Sequence, residues 1–66
     1  MILTINGENR AVGALESLAA LVTSLGLDPR KVAVERNLEI VPRSAYAQTP
    51  IAEGDRIEIV HFIGGG

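Results

Sequence analysis

The sequence predicts an α+β domain, a mixed sheet of four to five strands with one main helix packed on one face. Three observations predict it. Strand-like runs with alternating apolar residues stand at the two ends of the chain, in MILTIN and RIEIVHF. Between them, ALESLAALVTSLGL repeats leucine and valine at helical spacing. Finally, 66 residues have room for a single core. The helix stripe and the inward faces of the strands must therefore share it.

Each element can be justified in order. In MILTIN, Leu3 and Ile5 alternate with Thr4 and Asn6. Asn6-Gly7 is a hairpin signal because both residues tolerate positive φ, and a short return strand runs from Asn9 to Val12. The helix follows, with Leu15, Leu18, Val22 and Leu25 on one stripe and Leu21 widening it. Gly26 is a natural terminator, Leu27 supplies the accompanying apolar contact and Pro29 blocks continuation. The helix start is poorly marked, since Ala14 sits where Ser, Thr or Asp would be expected. KVAVER reads as a strand with Val32 and Val34 on one face. Asn37 marks a tight turn into Glu39-Ile40-Val41, which Pro42 ends for want of an N–H donor. Residues Arg43 to Thr49 form an irregular connection with one helical turn. Glu53-Gly54-Asp55 turns the chain into the last strand. Pairing of the first and last strands in parallel at the centre leaves one sheet face open to solvent. A β-grasp, or ubiquitin-like, arrangement satisfies all of this, with residues 1–62 as the domain and 63–66 as a flexible Gly-rich C-terminal tail.

Composition excludes several functions. The chain has no cysteine, so it is neither a cysteine nucleophile nor a persulfide carrier, and its 47% hydrophobic content must fold without disulfides. The net charge is −2, the only basic neighbours are Arg30-Lys31, and Tyr46 and Phe62 are the only aromatics. Nucleic-acid binding, which needs a basic stripe and stacking rings, is unsupported. A mildly acidic surface instead suits a protein partner with a basic face. No apolar run approaches the length that spans a bilayer, and no leader pattern opens the chain, so the cytoplasm is the expected location.

The final strand carries the functional signal. Its period of two puts Ile57 and Ile59 on the helix side, and Arg56, Glu58, Val60 and Phe62 on the open side. Val60, Phe62 and the adjoining Ile63 are the expected partner-docking residues, an apolar patch next to a tail. The chain then closes on Gly64-Gly65-Gly66. Glycines add almost nothing to a fold, but three in extended form reach on the order of 10 Å. Lacking Cβ atoms, they thread a channel too narrow for any other residue. They also leave the Gly66 carboxylate unhindered for attack once it is activated, for instance as an acyl-adenylate.

ILTIN-G, a helix ending LGL, VAVERNLEIVPR, EGDRIEIV and the terminal GGG together resemble the ThiS family, the small ubiquitin-like sulfur carriers of thiamine biosynthesis. The resemblance covers essentially the whole chain. It implies a protein that is not an enzyme and holds no cofactor or metal of its own. A ThiF-type adenylating enzyme would use ATP and Mg²⁺ to adenylate the C-terminal carboxylate. Sulfur from a cysteine desulfurase persulfide would replace AMP, and the resulting thiocarboxylate would serve the thiazole synthase ThiG. Carried onto this sequence, Gly66 is the thiocarboxylate and adenylation site, Gly65 completes the diglycine and Gly64 is a spacer. Two departures stand out. Relatives often have Gly where this chain has Leu38, which implies a different turn type with Leu38 partly exposed. The helix start also lacks the hydroxyl cap common in the family.

Other candidate sites are weaker. His61 is the only histidine and has no ligand cluster around it, so it reads as a surface or half-buried strand residue. Glu53, Asp55 and Glu58 read as solvated charge rather than as a catalytic carboxylate pair. Arg43 meets either a partner's acid or a structural acceptor. Two alternatives share the same tail chemistry: a related β-grasp sulfur carrier for molybdopterin, and a ubiquitin-like protein modifier. A third is a binding module with an inert tail.

Overall fold

The computed structural model describes residues 1–62; Ile63, Gly64, Gly65 and Gly66, and with them the expected flexible tail, lie outside the described residues. Strand β1 (Ile2–Ile5) turns Leu3 and Ile5 into the core. Asn6 and Gly7 take φ of 50° and 82°, a pair of positive values that matches the twist of a two-residue hairpin. Strand β2 (Glu8–Ala11) returns antiparallel, one residue earlier than the sequence suggested.

Helix α1 (Leu18–Ser24) is shorter than its apolar stripe, and its start corrects the expectation of a missing hydroxyl cap. Ser17 is the cap: its Oγ accepts the Ala20 N–H at 3.1 Å. Leu15 precedes the helix yet still packs against the core, so its spacing from Leu18 imitates a further turn. The other end matches expectation. Gly26 has φ 78°, its N–H donates to Thr23 O at 2.9 Å and the Leu27 N–H to Val22 O at 3.2 Å. Those paired bonds are the Schellman ending that a C′ glycine permits.

A 3₁₀ turn at Pro29–Lys31, capped by Asp28, leads into β3 (Val32–Arg36), where Val32 and Val34 are buried. The following turn also departs from expectation. Asn37 and Leu38 both take positive φ, 51° and 71°, so the turn keeps the conformation that glycine would favour instead of changing type. Leu38 is 73% exposed there. Strand β4 (Glu39–Val41) stops at Pro42, and Arg43–Gln48 is a 3₁₀ helix rather than an irregular connection. It delivers Tyr46 into the core. Strand β5 (Arg56–His61) closes the sheet.

The sheet order is β2-β1-β5-β3-β4. The central β1–β5 pair is parallel and the others antiparallel. Helix α1 contributes Leu18, Leu21 and Val22 to a core completed by Leu3, Ile57 and other inward strand residues. Ladder bonds from Asn37 N–H to Arg56 O (2.8 Å) and from Phe62 N–H to Lys31 O (2.9 Å) frame the β3–β5 pairing. The backbone of β1 last bonds β5 through Asn6 N–H to Ile57 O at 2.9 Å. The Asn6 side chain then copies the next peptide unit: its Oδ1 accepts the Ile59 N–H at 2.7 Å and its Nδ2 donates to Ile59 O at 3.2 Å. The end of β5 is thereby held on both edges.

Candidate functional site

That anchoring fixes what β5 presents. Ile57 and Ile59 are buried, while Val60 is 63% and Phe62 59% exposed on the opposite face, as alternation requires. Phe62 does not fold away from solvent. Register places Ala33 beside Val60 and sets Glu35 between Glu58 and Ile40. Ile40 is 78% exposed. Ala33, Ile40, Val60 and Phe62 therefore form an apolar patch on the open sheet face, a contribution from β3 and β4 that the reading of β5 alone missed. The signal was available: with Val34 inward and paired to Val41, Ile40 must point outward.

A shallow cleft of ≈ 220 Å³ lies between Phe62 and the end of β4, with Ala33, Ile40, Val41 and Arg43 among its lining residues. A smaller one, ≈ 120 Å³, lies between Ile40 and Val60. Glu35 and Glu58 stand directly opposite each other on this face, both half-buried. Like charges so paired repel, and they give the patch a negative centre that a basic group on a partner would relieve.

The other candidate residues disperse. His61 is exposed, and among the described residues no group of three or more His, Cys, Asp or Glu is placed to hold a metal. Arg43 has a structural acceptor: its Nη1 donates to Arg30 O at 3.0 Å. Among the three acids, Glu53 is exposed and accepts the Ile2 N–H at 3.0 and 3.1 Å. Asp55 corrects the reading of solvated charge, being only 7% exposed. Its Oδ2 accepts from Arg36 Nε at 2.9 Å and from the Ala52 N–H at 2.8 Å, and its Oδ1 from Asn37 Nδ2 at 3.1 Å. Burial pushes its carboxyl up, but the Ala52, Asn37 and Arg36 hydrogen bonds more than offset that and hold it below its ordinary value of 3.8. A carboxylate so fully engaged is a structural clasp. Among the described residues no helix is long and apolar enough to cross a membrane.

A five-stranded mixed sheet with one main helix on one face and an exposed apolar patch on the other defines a ubiquitin-like β-grasp protein. The ThiS family model matches residues 3–66, and the chain belongs to the ThiS family. The chain is 38% identical over 69 aligned positions to the sulfur carrier protein ThiS of Bacillus subtilis, covering 98% of this chain and 100% of that protein. The crystal structure of the thiamine biosynthesis protein ThiS from Geobacter metallireducens superposes with a TM-score of 0.83 at 36% identity, covering 100% of both chains. A thiazole synthase from Paramagnetospirillum magneticum is 61% identical over 66 residues; the chain spans 20% of that protein's length.

Proposed function

We propose that this protein is a sulfur carrier for the thiazole moiety of thiamine, acting in the cytoplasm and performing no catalysis itself. The observation that carries this reading is the end-to-end match to a sulfur carrier, with neither chain leaving a large part unmatched. In this reading a ThiF-type enzyme binds ATP and Mg²⁺ and joins the Gly66 carboxylate to AMP, releasing pyrophosphate. The carrier supplies no cofactor. Sulfur from a desulfurase-derived persulfide then attacks the acyl carbon and AMP departs. After the residual sulfur–sulfur bond is cleaved by a thiol, a thiocarboxylate remains. Gly64 and Gly65 keep the approach to that carbon free of side chains, so the nucleophile reaches it without steric obstruction. ThiG accepts the sulfur.

In this scheme Val60, Phe62 and Ile63 dock the carrier, and burial of the apolar patch supplies affinity while the glycines enter the partner's channel. The test is intact-mass measurement after incubation with the adenylating enzyme, ATP and a persulfide donor. One oxygen should be replaced by sulfur, and deletion of Gly65 and Gly66 should abolish the change. An unaltered mass with partners active on another carrier would refute the reading.

A further inference from the structure

The open face is not the only surface beside the end of β5. On the helix side, β2, β5 and the end of α1 enclose a cleft of ≈ 180 Å³. Its floor is apolar, made by Ile5, Leu25, Leu27 and Ile59, and two basic side chains, Arg10 and His61, line it as well. His61 shares the parity of Ile57 and Ile59 and so points to this side of the sheet, yet it is exposed because α1 does not reach it. Arg10 comes from β2, on the far side of β1, and is also exposed. Among the described residues neither side chain takes part in an ion pair; those found join Arg30 to Asp28 and Arg36 to Asp55. Glu8, two residues from Arg10 on the same strand, is not bonded to it.

We infer that this cleft is a second docking surface, which receives an acidic side chain of the thiazole synthase that takes the carrier's tail. The inference rests on the carrier reading above. Three observations support it. First, the rim sets the permanently charged Arg10 guanidinium beside the His61 imidazole in a protein whose net charge is −2, so the pair of N–H donors is a local feature rather than a general one. Second, the cleft flanks the residue that precedes Phe62, on the face opposite the apolar patch. Contact on one face alone leaves a bound domain free to roll about the β5 axis. Contact on both faces fixes the direction in which the segment after Phe62 leaves the sheet. Third, the synthase is the partner of choice because a protein named thiazole synthase contains a stretch matching this entire chain at 61% identity.

The two faces have complementary roles. The apolar patch supplies most of the affinity, and the charged cleft supplies orientation and association rate. One guanidinium and one imidazole are too few for a nucleic-acid footprint, which runs to several phosphates.

The experiment measures binding of the full chain to its cognate thiazole synthase by calorimetry at low and at moderate salt. The variants are Arg10→Glu, His61→Glu and the double reversal, with Arg10→Gln as an uncharged control. Both side chains are exposed, so melting temperatures should stay close to that of the unaltered protein and report any misfolding. The double reversal should weaken binding by on the order of tenfold or more, Arg10→Gln by less, and the salt dependence should shrink in both. Thiocarboxylate formation, assayed separately by mass, should be unaffected. Equal affinity of the unaltered protein and the double reversal at both salt concentrations overturns the inference while leaving the carrier reading intact. So does chemical-shift perturbation of Arg10 and His61 by inorganic phosphate with no effect of reversal on synthase binding, which assigns the cleft to a small anion. Failure of the unaltered chain both to gain sulfur and to bind the synthase brings down the carrier reading and this inference together.

Discussion

At Asp55 three donors converge on one buried carboxylate, from the Ala52 backbone and from the side chains of Asn37 and Arg36. Removing it leaves three donors without that acceptor, and because Arg36 and Asn37 keep access to water the loss is about 1–3 kcal/mol. Asp55→Ala should lower stability by that order in urea titration. The pH dependence has a definite sign. Because the folded carboxyl titrates below its ordinary 3.8, its contribution is complete above that value and is lost as pH falls through the lower folded one. Stability curves of the native protein and Asp55→Asn should therefore converge as pH drops below about 4. Leu38 presents the opposite case, a side chain that the backbone tolerates at a cost. Its φ of 71° is left-handed, a region costing a non-glycine residue about 1–2 kcal/mol, against roughly 0.5–1 for the extra freedom of an unfolded glycine. Leu38→Gly should raise the urea midpoint by an amount equivalent to about 0.5–1 kcal/mol. Leu38 stood out in the sequence as a leucine at a position where glycine is common, but its positive φ and the burial of Asp55 did not. Asp55 sits in a turn signal, EGD, and its burial depends on Arg36 and Asn37, which only the β3–β5 pairing brings near. The Leu38 turn follows Asn37, whose own side chain accepts the Arg56 N–H at 2.9 Å and so stabilises a conformation that leucine alone would resist.

At the scale of elements, periodicity decided most of what was readable. Strand β5 is the clearest case, because a strand covered on one face must alternate, and the split between Ile57 with Ile59 and Val60 with Phe62 follows at once. Helix α1 shows the limit of the same reasoning. Leu15 keeps the helical spacing from Leu18 and packs on the core, so spacing alone cannot tell a helical residue from an extended one that reaches the same place. The hydroxyl of Ser17 marks the true boundary. Ser17→Ala should cost about 1 kcal/mol, seen as a fall in melting temperature of roughly 4–8 °C for a domain of this size. Tyr46 was equally hidden. Only the 3₁₀ helix at Arg43–Gln48 turns its ring inward, where its hydroxyl donates to Val32 O at 3.2 Å.

For the molecule as a whole, the two faces of the sheet have separate jobs. One is spent on the core, and the other keeps Ala33, Ile40, Val60 and Phe62 available. If the proposed function holds, Val60→Asp and Phe62→Asp weaken binding to the adenylating enzyme or to the synthase by on the order of tenfold or more, with the melting temperature nearly unchanged. Binding is read by calorimetry and the fold by circular dichroism; unfolding of both variants would show that these side chains support the core instead. The open-face patch was partly legible from one strand's alternation. The contributions of Ala33 and Ile40 needed the register between strands, which is a property of the assembled sheet.

The short β4 has one more consequence. Once Pro42 ends that strand, the outward carbonyls of β3 would be left as a template on which another chain could crystallise into sheet. Instead the Tyr46 hydroxyl occupies Val32 O, and the Arg43 guanidinium occupies Arg30 O in the 3₁₀ turn just before β3. At the far margin β2 offers Glu8, Asn9 and Arg10, polar residues unsuited to stacking. A protein with an uncovered apolar patch is thus protected from polymerising along its flanks, and replacing Tyr46 with phenylalanine would reopen one of them.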